Sequence, residues 1–195
     1  MLIGGGAVAL RKAQTLLEAG ARLVVVAEEI DEMLAIKARG GDAELIRSKY
    51  SKDYLAGAVL TIAATNDHEL NRRIYRDCQQ LEILCNVVDE PQLCDFFVPA
   101  VVKRGDLQIA IGTEGQCPAY AGHLRKKLED IFTEDYGKFL AELEGLRNRI
   151  LMAVSDPTVR KVLLGRLVED KSFEYFREKG QSAWKQWAEQ LIAES

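Results

Sequence analysis

Residues 1–29 read MLIGGGAVALRKAQTLLEAGARLVVVAEE. An apolar Leu2-Ile3 pair runs into Gly4-Gly5-Gly6. Val8, Leu10, Ala13, Leu16 and Leu17 then recur at helical spacing between Ala7 and Ala19, and Gly20 suits a C-terminal cap. Residues 22–27 (RLVVVA) have the β-branched, unbroken apolar character of a buried parallel strand. Strand, glycine turn, amphipathic helix and strand outline a βαβ unit, and Gly4-x-Gly6-x-x-Ala9 fits the dinucleotide fingerprint G-x-G-x-x-G/A. The first glycine permits a tight turn, the second lets the backbone approach a pyrophosphate, and the small third residue lets the helix pack close to the strands. The free N–H groups and positive dipole end of the helix face the phosphates, so Gly4, Gly6, Ala7 and Val8 are the expected cofactor contacts. Only three residues precede Gly4 whereas strands average ~5–6, so the sequence is expected to begin inside its first strand, and upstream residues to raise the melting temperature.

Glu28 lies 19 residues beyond Ala9, just past the second strand. A carboxylate there accepts hydrogen bonds from ribose hydroxyls and repels a 2′-phosphate, which favours NAD over NADP. The competing reading is a solvated loop carboxylate.

The alternation continues. Residues 30–38 suggest a short helix and 44–47 (ELIR) a short strand. Residues 58–65 (AVLTIAAT) and 83–88 (ILCNVV) read as buried strands, and 67–81 as the helix between them, with Leu70, Ile74 and Cys78 on one stripe. Such alternation predicts a Rossmann-like parallel sheet covered on both faces. Thr65 and Asn66 follow a strand end, where they suit hydrogen bonds to ribose or pyrophosphate; Asn66 or Asp67 equally suits the N-cap of the next helix. The pattern changes near Asp89. Residues 96–102 (FFVPAVV) and 107–111 (LQIAI), separated by Lys103-Arg104-Gly105-Asp106, predict a hairpin appended to the sheet, with Pro99 at an edge or bulge. After Gly112-Thr113-Glu114-Gly115, a helix is expected from Pro118 to about Glu129. The remainder reads as helical. Phe139, Leu140, Leu143, Leu146, Ile150 and Leu151 form a stripe, Asp156-Pro157 opens a helix, and one final helix carries Phe173, Phe176, Trp184 and Trp187 as core residues. The expected domains are 1–90 (nucleotide-binding), 91–130 (dimerisation) and 131–195 (helical).

The net charge of -4 argues against a mainly electrostatic grip on nucleic acid or an anionic membrane. No apolar run approaches the ~20 residues that span a bilayer, and no signal peptide is visible, so a cytoplasmic location is expected. The four cysteines (Cys78, Cys85, Cys94, Cys117) form no C-x-x-C pair and there are only two histidines, so no metal-ligand set is expected and the thiols read as free.

Residues 4–27, 61–74 (TIAATNDHELNRRI), 85–129 (CNVVDEPQLCDFFVPAVVKRGDLQIAIGTEGQCPAYAGHLRKKLE) and the helical tail together resemble the precorrin-2 dehydrogenase and sirohydrochlorin ferrochelatase family, the NAD-dependent module of siroheme synthase. The resemblance covers nearly the whole chain. It implies a homodimer that oxidises precorrin-2 to sirohydrochlorin with NAD, with ferrous iron inserted as well by some members. It places Asp89, at the end of Asn86-Val-Val-Asp89, as the catalytic carboxylate: base, or orienter of the macrocycle. Read without the resemblance, Asp89 caps the turn into Glu90-Pro91. Asn86 and Thr113 are implied substrate contacts, Thr113 standing where some members carry serine; Glu114 departs from the small residue often beside it. A polycarboxylate substrate calls for cations, which makes Arg125 and Lys126 candidates, with Lys103 and Arg104 in the hairpin turn; the bland alternative is a solvated helix face. His123 is either a substrate or metal contact or a surface histidine. Two rivals stay open: chelatase activity, alone or in addition, and a nucleotide-sensing regulatory domain without catalysis.

Overall fold

Strand β1 (Leu2–Ile3) is only two residues long, yet it feeds both faces of a sheet. Successive side chains on a strand point to opposite faces. Leu2 shares a core with Ala9 and Ala13 of α1 (Ala7–Glu18), Leu23 and Val25 of β2 (Leu23–Ala27), and Leu34 of α2 (Glu32–Lys37). Ile3 joins the opposite core, with Val26, Ala63 of β4 (Leu60–Ala63), Ile74 and Cys78 of α3 (His68–Gln80), and Cys85 and Val87 of β5 (Leu84–Val87). With β3 (Ala43–Arg47) the strands form a five-stranded, wholly parallel sheet of order β3-β2-β1-β4-β5. The Met1 nitrogen donates to the Leu60 carbonyl at 2.8 Å and the Met1 carbonyl accepts from the Ile62 N–H at 2.9 Å, which carries the β1–β4 ladder one residue further. This computed structural model describes residues 1–38, 41 and 43–193.

Local signals act where the sequence puts them. Gly20, at φ +76°, closes α1 with its N–H on the Leu17 carbonyl, a backbone that glycine adopts without a Cβ clash. Of the two candidate caps for α3, Asp67 is the one used: its carboxylate accepts from the Leu70 N–H at 3.0 Å. Cys78 and Cys85 are free thiols in the core, while Cys117 is exposed.

The chain divides into two compact units, Met1–Val98 with Glu114–Gln116, and Pro99–Thr113 with Cys117–Ser195. The second contains β6 (Ala100–Arg104) and β7 (Leu107–Ile111) and five helices among its described residues: α4 (Pro118–Ile131), α5 (Glu134–Ala153), α6 (Pro157–Leu167), α7 (Asp170–Lys179) and α8 (Gln181–Ala193). Three sequence expectations are corrected here. The first hairpin strand begins at Ala100 rather than at residue 96, after Pro99, which has no N–H to give a ladder, and the hairpin forms its own two-stranded sheet. Lys103 and Arg104 lie in β6 and not in the turn, which is Gly105-Asp106 with Gly105 at φ +58°. The single final helix is two, broken at Gly180 (φ +84°, ψ 166°).

The helices enclose Phe139, Leu146, Ile150, Leu163, Leu167, Phe176, Trp184 and Ala188. Leu151, expected on that stripe, is 37% exposed. Trp184 is fully buried, and its indole N–H donates to Ser172 Oγ at 2.8 Å, which satisfies both polar atoms inside the core. Asp156 caps α6 by accepting from the Thr158 and Val159 N–H groups at 2.7 and 3.4 Å. The hairpin is fastened to the end of α4 by Arg104, whose guanidinium donates to the carbonyls of Phe132 (2.7 Å) and Glu129 (3.0 Å).

Two glycines of α5 give a matched pair. A Cβ at Gly137 would sit 2.4 Å from the Arg104 carbonyl oxygen, whereas one at Gly145 meets nothing within 4 Å. Gly137→Ala is expected to destabilise by about 1–3 kcal/mol through overpacking, and Gly145→Ala to stabilise by up to ~1 kcal/mol through helix propensity. Urea titrations showing equal effects of the two substitutions would contradict this packing.

Candidate functional site

The order β3-β2-β1-β4-β5 reverses between β1 and β4, and in such sheets ligands bind beyond the carboxyl ends of the strands at that point. The expected first-unit residues fall there. Gly4 follows β1, Glu28 follows β2, Thr65 and Asn66 follow β4, and Asp89 lies two residues past β5.

The three glycines do different work. Gly4 has φ +123°, and a Cβ on it would lie 2.3 Å from the Ala64 carbonyl oxygen. A Cβ on Gly5 would lie 2.0 Å from the Glu29 carbonyl oxygen. The turn is thus wedged between the ends of β4 and β2. Gly6 has an ordinary backbone (φ -86°), and a Cβ there meets nothing within 4 Å. Gly6 caps α1 without any side-chain bond, and no acidic residue occupies the first turn of that helix. The first N–H groups of α1 therefore face open space with a positive dipole end, next to a position that a methyl group would fill. That geometry fits a pyrophosphate, with Ala7 and Val8 supplying the first helical N–H groups. Ala9, fully buried, is the small residue that lets α1 lie close to the sheet. Glu28 is exposed at the end of β2.

After β4 the backbone turns through a polar clamp that sequence reasoning missed. Asn71 of α3 is buried; its Oδ1 accepts from the Thr65 hydroxyl at 2.7 Å and its Nδ2 donates to the Thr65 carbonyl at 3.0 Å. The Thr65 oxygen in turn accepts from the Asp67 N–H at 3.2 Å. Thr65 is therefore committed to shaping the turn, and Asn66 is the exposed side chain that the turn offers outward. The sequence signal for Asn71 was present: it falls on the stripe of Ile74 and Cys78, and a polar residue on a buried stripe needs a partner.

Asn86, an expected substrate contact, is buried. Its amide donates to the Phe96 carbonyl at 2.9 Å and to Cys94 Sγ at 3.3 Å, and so holds the returning chain against β5. Asp89 is exposed and sits in the left-handed region at φ +63°. That backbone costs a non-glycine residue about 1 kcal/mol or more. The turn-capping role considered for Asp89 is not seen: the following 3₁₀ turn (Pro91–Leu93) is capped at Glu90 without a side-chain bond, and among the described residues the Asp89 carboxylate has no hydrogen-bond or ion-pair partner. An exposed, partnerless carboxylate on a fixed backbone can accept a proton from a bound ligand.

Its neighbour Glu90 is the opposite case. Glu90 is buried, 2.9 Å from His68 Nδ1 and 3.5 Å from Arg72 Nε, both on α3. The His68 hydrogen bond, reinforced by the Arg72 charge and opposed by burial, holds its carboxyl below the usual carboxylate range.

In the second unit, Thr113 Oγ1 accepts from the Cys117 N–H at 3.4 Å. Arg125, a candidate substrate cation, is paired with Glu129 one helical turn away. Arg104 is spent on the end of α4. Lys126 is exposed, and His123 lies over Tyr120 with ring centroids 6.4 Å apart.

Two outcomes follow from this geometry. Gly6→Ala is expected to keep the melting temperature within about 2 °C yet weaken dinucleotide binding at least ~10-fold by calorimetry, because its methyl fills ligand space rather than protein space. Gly4→Ala is expected to unfold the first unit at markedly lower temperature; equal effects of both on stability would contradict the assignment. For Glu90, a folded pKa below the unfolded one gives stability that is present above the ordinary carboxylate value and is lost as pH falls through the depressed one. The stability gap between wild type and Glu90→Gln is expected to shrink as pH falls below about 4.5. A gap that grows below about pH 4.5 would reverse the sign and refute the depressed carboxyl.

Comparison with known proteins agrees with this architecture. A family model described as putative NAD(P)-binding matches residues 1–100, and one described as sirohaem biosynthesis protein, central, matches residues 104–131. Siroheme synthase 1 of Aeromonas salmonicida is 35% identical over 195 residues, all of this chain and 42% of that protein. Siroheme synthase 3 of Aeromonas hydrophila is 40% identical over 150 residues, 77% of this chain and 32% of that protein. The chain thus spans well under half the length of these curated relatives. A solved structure, SirC, precorrin-2 dehydrogenase, superposes with a TM-score of 0.80 over 100% of this chain and 93% of its own, at 22% identity, and so shares the fold. With more than half of its residues under the first family model, the chain belongs to the putative NAD(P)-binding family and is a relative of the siroheme synthases.

Proposed function

We propose that the chain is an NAD-dependent precorrin-2 dehydrogenase that forms sirohydrochlorin in siroheme synthesis. The observation that carries the reading is Asp89, a partnerless carboxylate held in a left-handed turn beyond β5, at the edge of the sheet where a dinucleotide site opens. The siroheme synthase relatives and the fold shared with a precorrin-2 dehydrogenase support the choice of substrate.

In this oxidation the macrocycle gives up one hydride and one proton, so that precorrin-2 and NAD become sirohydrochlorin, NADH and a proton. The nicotinamide supplies the hydride acceptor. The chain supplies the rest. The open position at Gly6 and the first N–H groups of α1 hold the pyrophosphate. Glu28 accepts from the ribose hydroxyls and disfavours a 2′-phosphate, which supports NAD over NADP. Asn71 and Thr65 shape the turn that presents Asn66. Asp89 receives the proton as the hydride leaves, and a positioned base of this kind contributes about 10²–10⁴-fold. The family resemblance further supports a homodimer, with ferrous iron as a second substrate where chelation is added.

The test is an anaerobic absorbance time course with enzymatically made precorrin-2, with and without NAD or NADP, followed by ferrous iron. NAD-dependent formation of sirohydrochlorin is expected, with Asp89→Ala losing at least ~100-fold in turnover while its NAD affinity stays within about twofold. Wild-type turnover by Asp89→Ala would overturn the assignment of that residue. Iron insertion into supplied sirohydrochlorin without NAD would establish the chelatase, and NAD binding without any turnover would favour the sensing domain.

A further inference from the structure

Among the described residues, no hydrogen bond of Asp89 fixes its left-handed backbone, so its neighbours hold it there. On one side, the Val88 N–H donates to the Ala63 carbonyl at 2.9 Å, which pins the chain to the end of β4. On the other side, the hold comes through Glu90. Its carbonyl accepts from the Leu93 N–H at 2.9 Å and from the Cys94 thiol at 3.4 Å, and its buried carboxylate meets His68 and Arg72 on the first turns of α3. Its own N–H reaches the Val87 carbonyl at only 3.4 Å, so the main-chain bond across the turn is weak and the side chain supplies the firm attachment. Arg72 is also braced by Glu69 at 2.9 Å.

We propose that Glu90 is a positioning residue: tied to His68 and Arg72, it fixes the backbone at Asp89 and hence the direction in which the Asp89 carboxylate meets the substrate. The inference rests on the role given to Asp89 above. A buried carboxylate that hydrogen-bonds His68 through Oε1 and faces the Arg72 guanidinium with Oε2 is anchored to a different element, because moving it would strand its charge inside the protein. The attachment joins the ends of β4 and β5 through α3, so the turn beside the dinucleotide and the turn bearing Asp89 are held as one piece. Sequence position alone gives no hint of this, since Glu90 looks like one more acidic residue before a proline.

The test is a double-mutant cycle in the precorrin-2 assay. Glu90→Ala is expected to lower kcat about tenfold with KM and NAD affinity within about twofold, since a misdirected carboxylate costs turnover rather than binding. Glu90→Gln keeps the acceptor for His68 and is expected to recover most of that loss. Added to Asp89→Ala, Glu90→Ala is expected to cost nothing further, because its effect passes through a carboxylate already removed. Should Glu90→Ala fail to fold, His68→Ala, which cuts one tie, takes its place with an expected loss of about threefold. A Glu90 variant with wild-type kcat overturns the proposal while Asp89→Ala remains inactive and the dehydrogenase reading stands. The same factor lost with and without Asp89, or a parallel loss of NAD affinity, reduces Glu90 to a structural residue. Full turnover by Asp89→Ala, or none by wild type, removes the dehydrogenase reading and the proposal together.

Discussion

The turn after β1 is squeezed from both sides, and the rest of the first unit is arranged around that squeeze. Gly4 lies against the Ala64 carbonyl and Gly5 against the carbonyl of Glu29, at separations no side chain tolerates. The same close approach brings the ends of β4 and β2 together over a strand of two residues. It aims α1 so that its N-terminus opens above the reversal point of the sheet. Gly6 alone among the three leaves open space where a Cβ would sit, which suits the close approach of a ligand. Ala9 and Ala13, both fully buried, let the helix settle onto the strands without disturbing the wedge.

The opposite edge of the site is built on a different device. Around β5 the polar groups are spent on holding the chain in place. Asn86 secures Phe96 and Cys94, the Asp95 carboxylate accepts from the Cys85 N–H at 2.8 Å, and Glu90 is anchored to α3. Asp89 is left without a partner among the described residues. A strained backbone persists only where its surroundings over-determine it, and such residues gather at functional sites. Here the surroundings can be named, and they leave the carboxylate available for a bound ligand.

The second unit shows how little of its stability comes from the hairpin itself. Two strands alone are marginal in water. Arg104 compensates by donating to the last carbonyls of α4, and Gly137 lets α5 come into backbone contact with β6. The helices then close on Trp184, whose bond to Ser172 is the polar contact inside an otherwise apolar core; losing either partner would strand the other at a cost of about 1–3 kcal/mol.

Much of this was legible in the sequence, for physical reasons. Parallel strands buried on both faces must be unbroken apolar runs, and the helices between them must carry a stripe, so β2, β4, β5 and α3 announce themselves. The glycine turn is legible because only glycine fits its backbone, and Asp89 because a family motif surrounds it. What depends on contacts between distant residues was not legible. What Arg104 pairs with is settled by carbonyls remote in the chain, the break of the last helix by the backbone of Gly180, and the cap of α3 and the pairing of Arg125 by local contacts for which the sequence offered more than one candidate. Asn71 and Glu90 are polar residues whose burial no local pattern encodes for certain. The sequence determined the nucleotide-binding sheet and its glycine turn, because those rest on backbone sterics and burial period. The tertiary structure alone decided which polar side chains hold the site together and which one is left free, because a buried polar group takes its partner from whichever element folds against it.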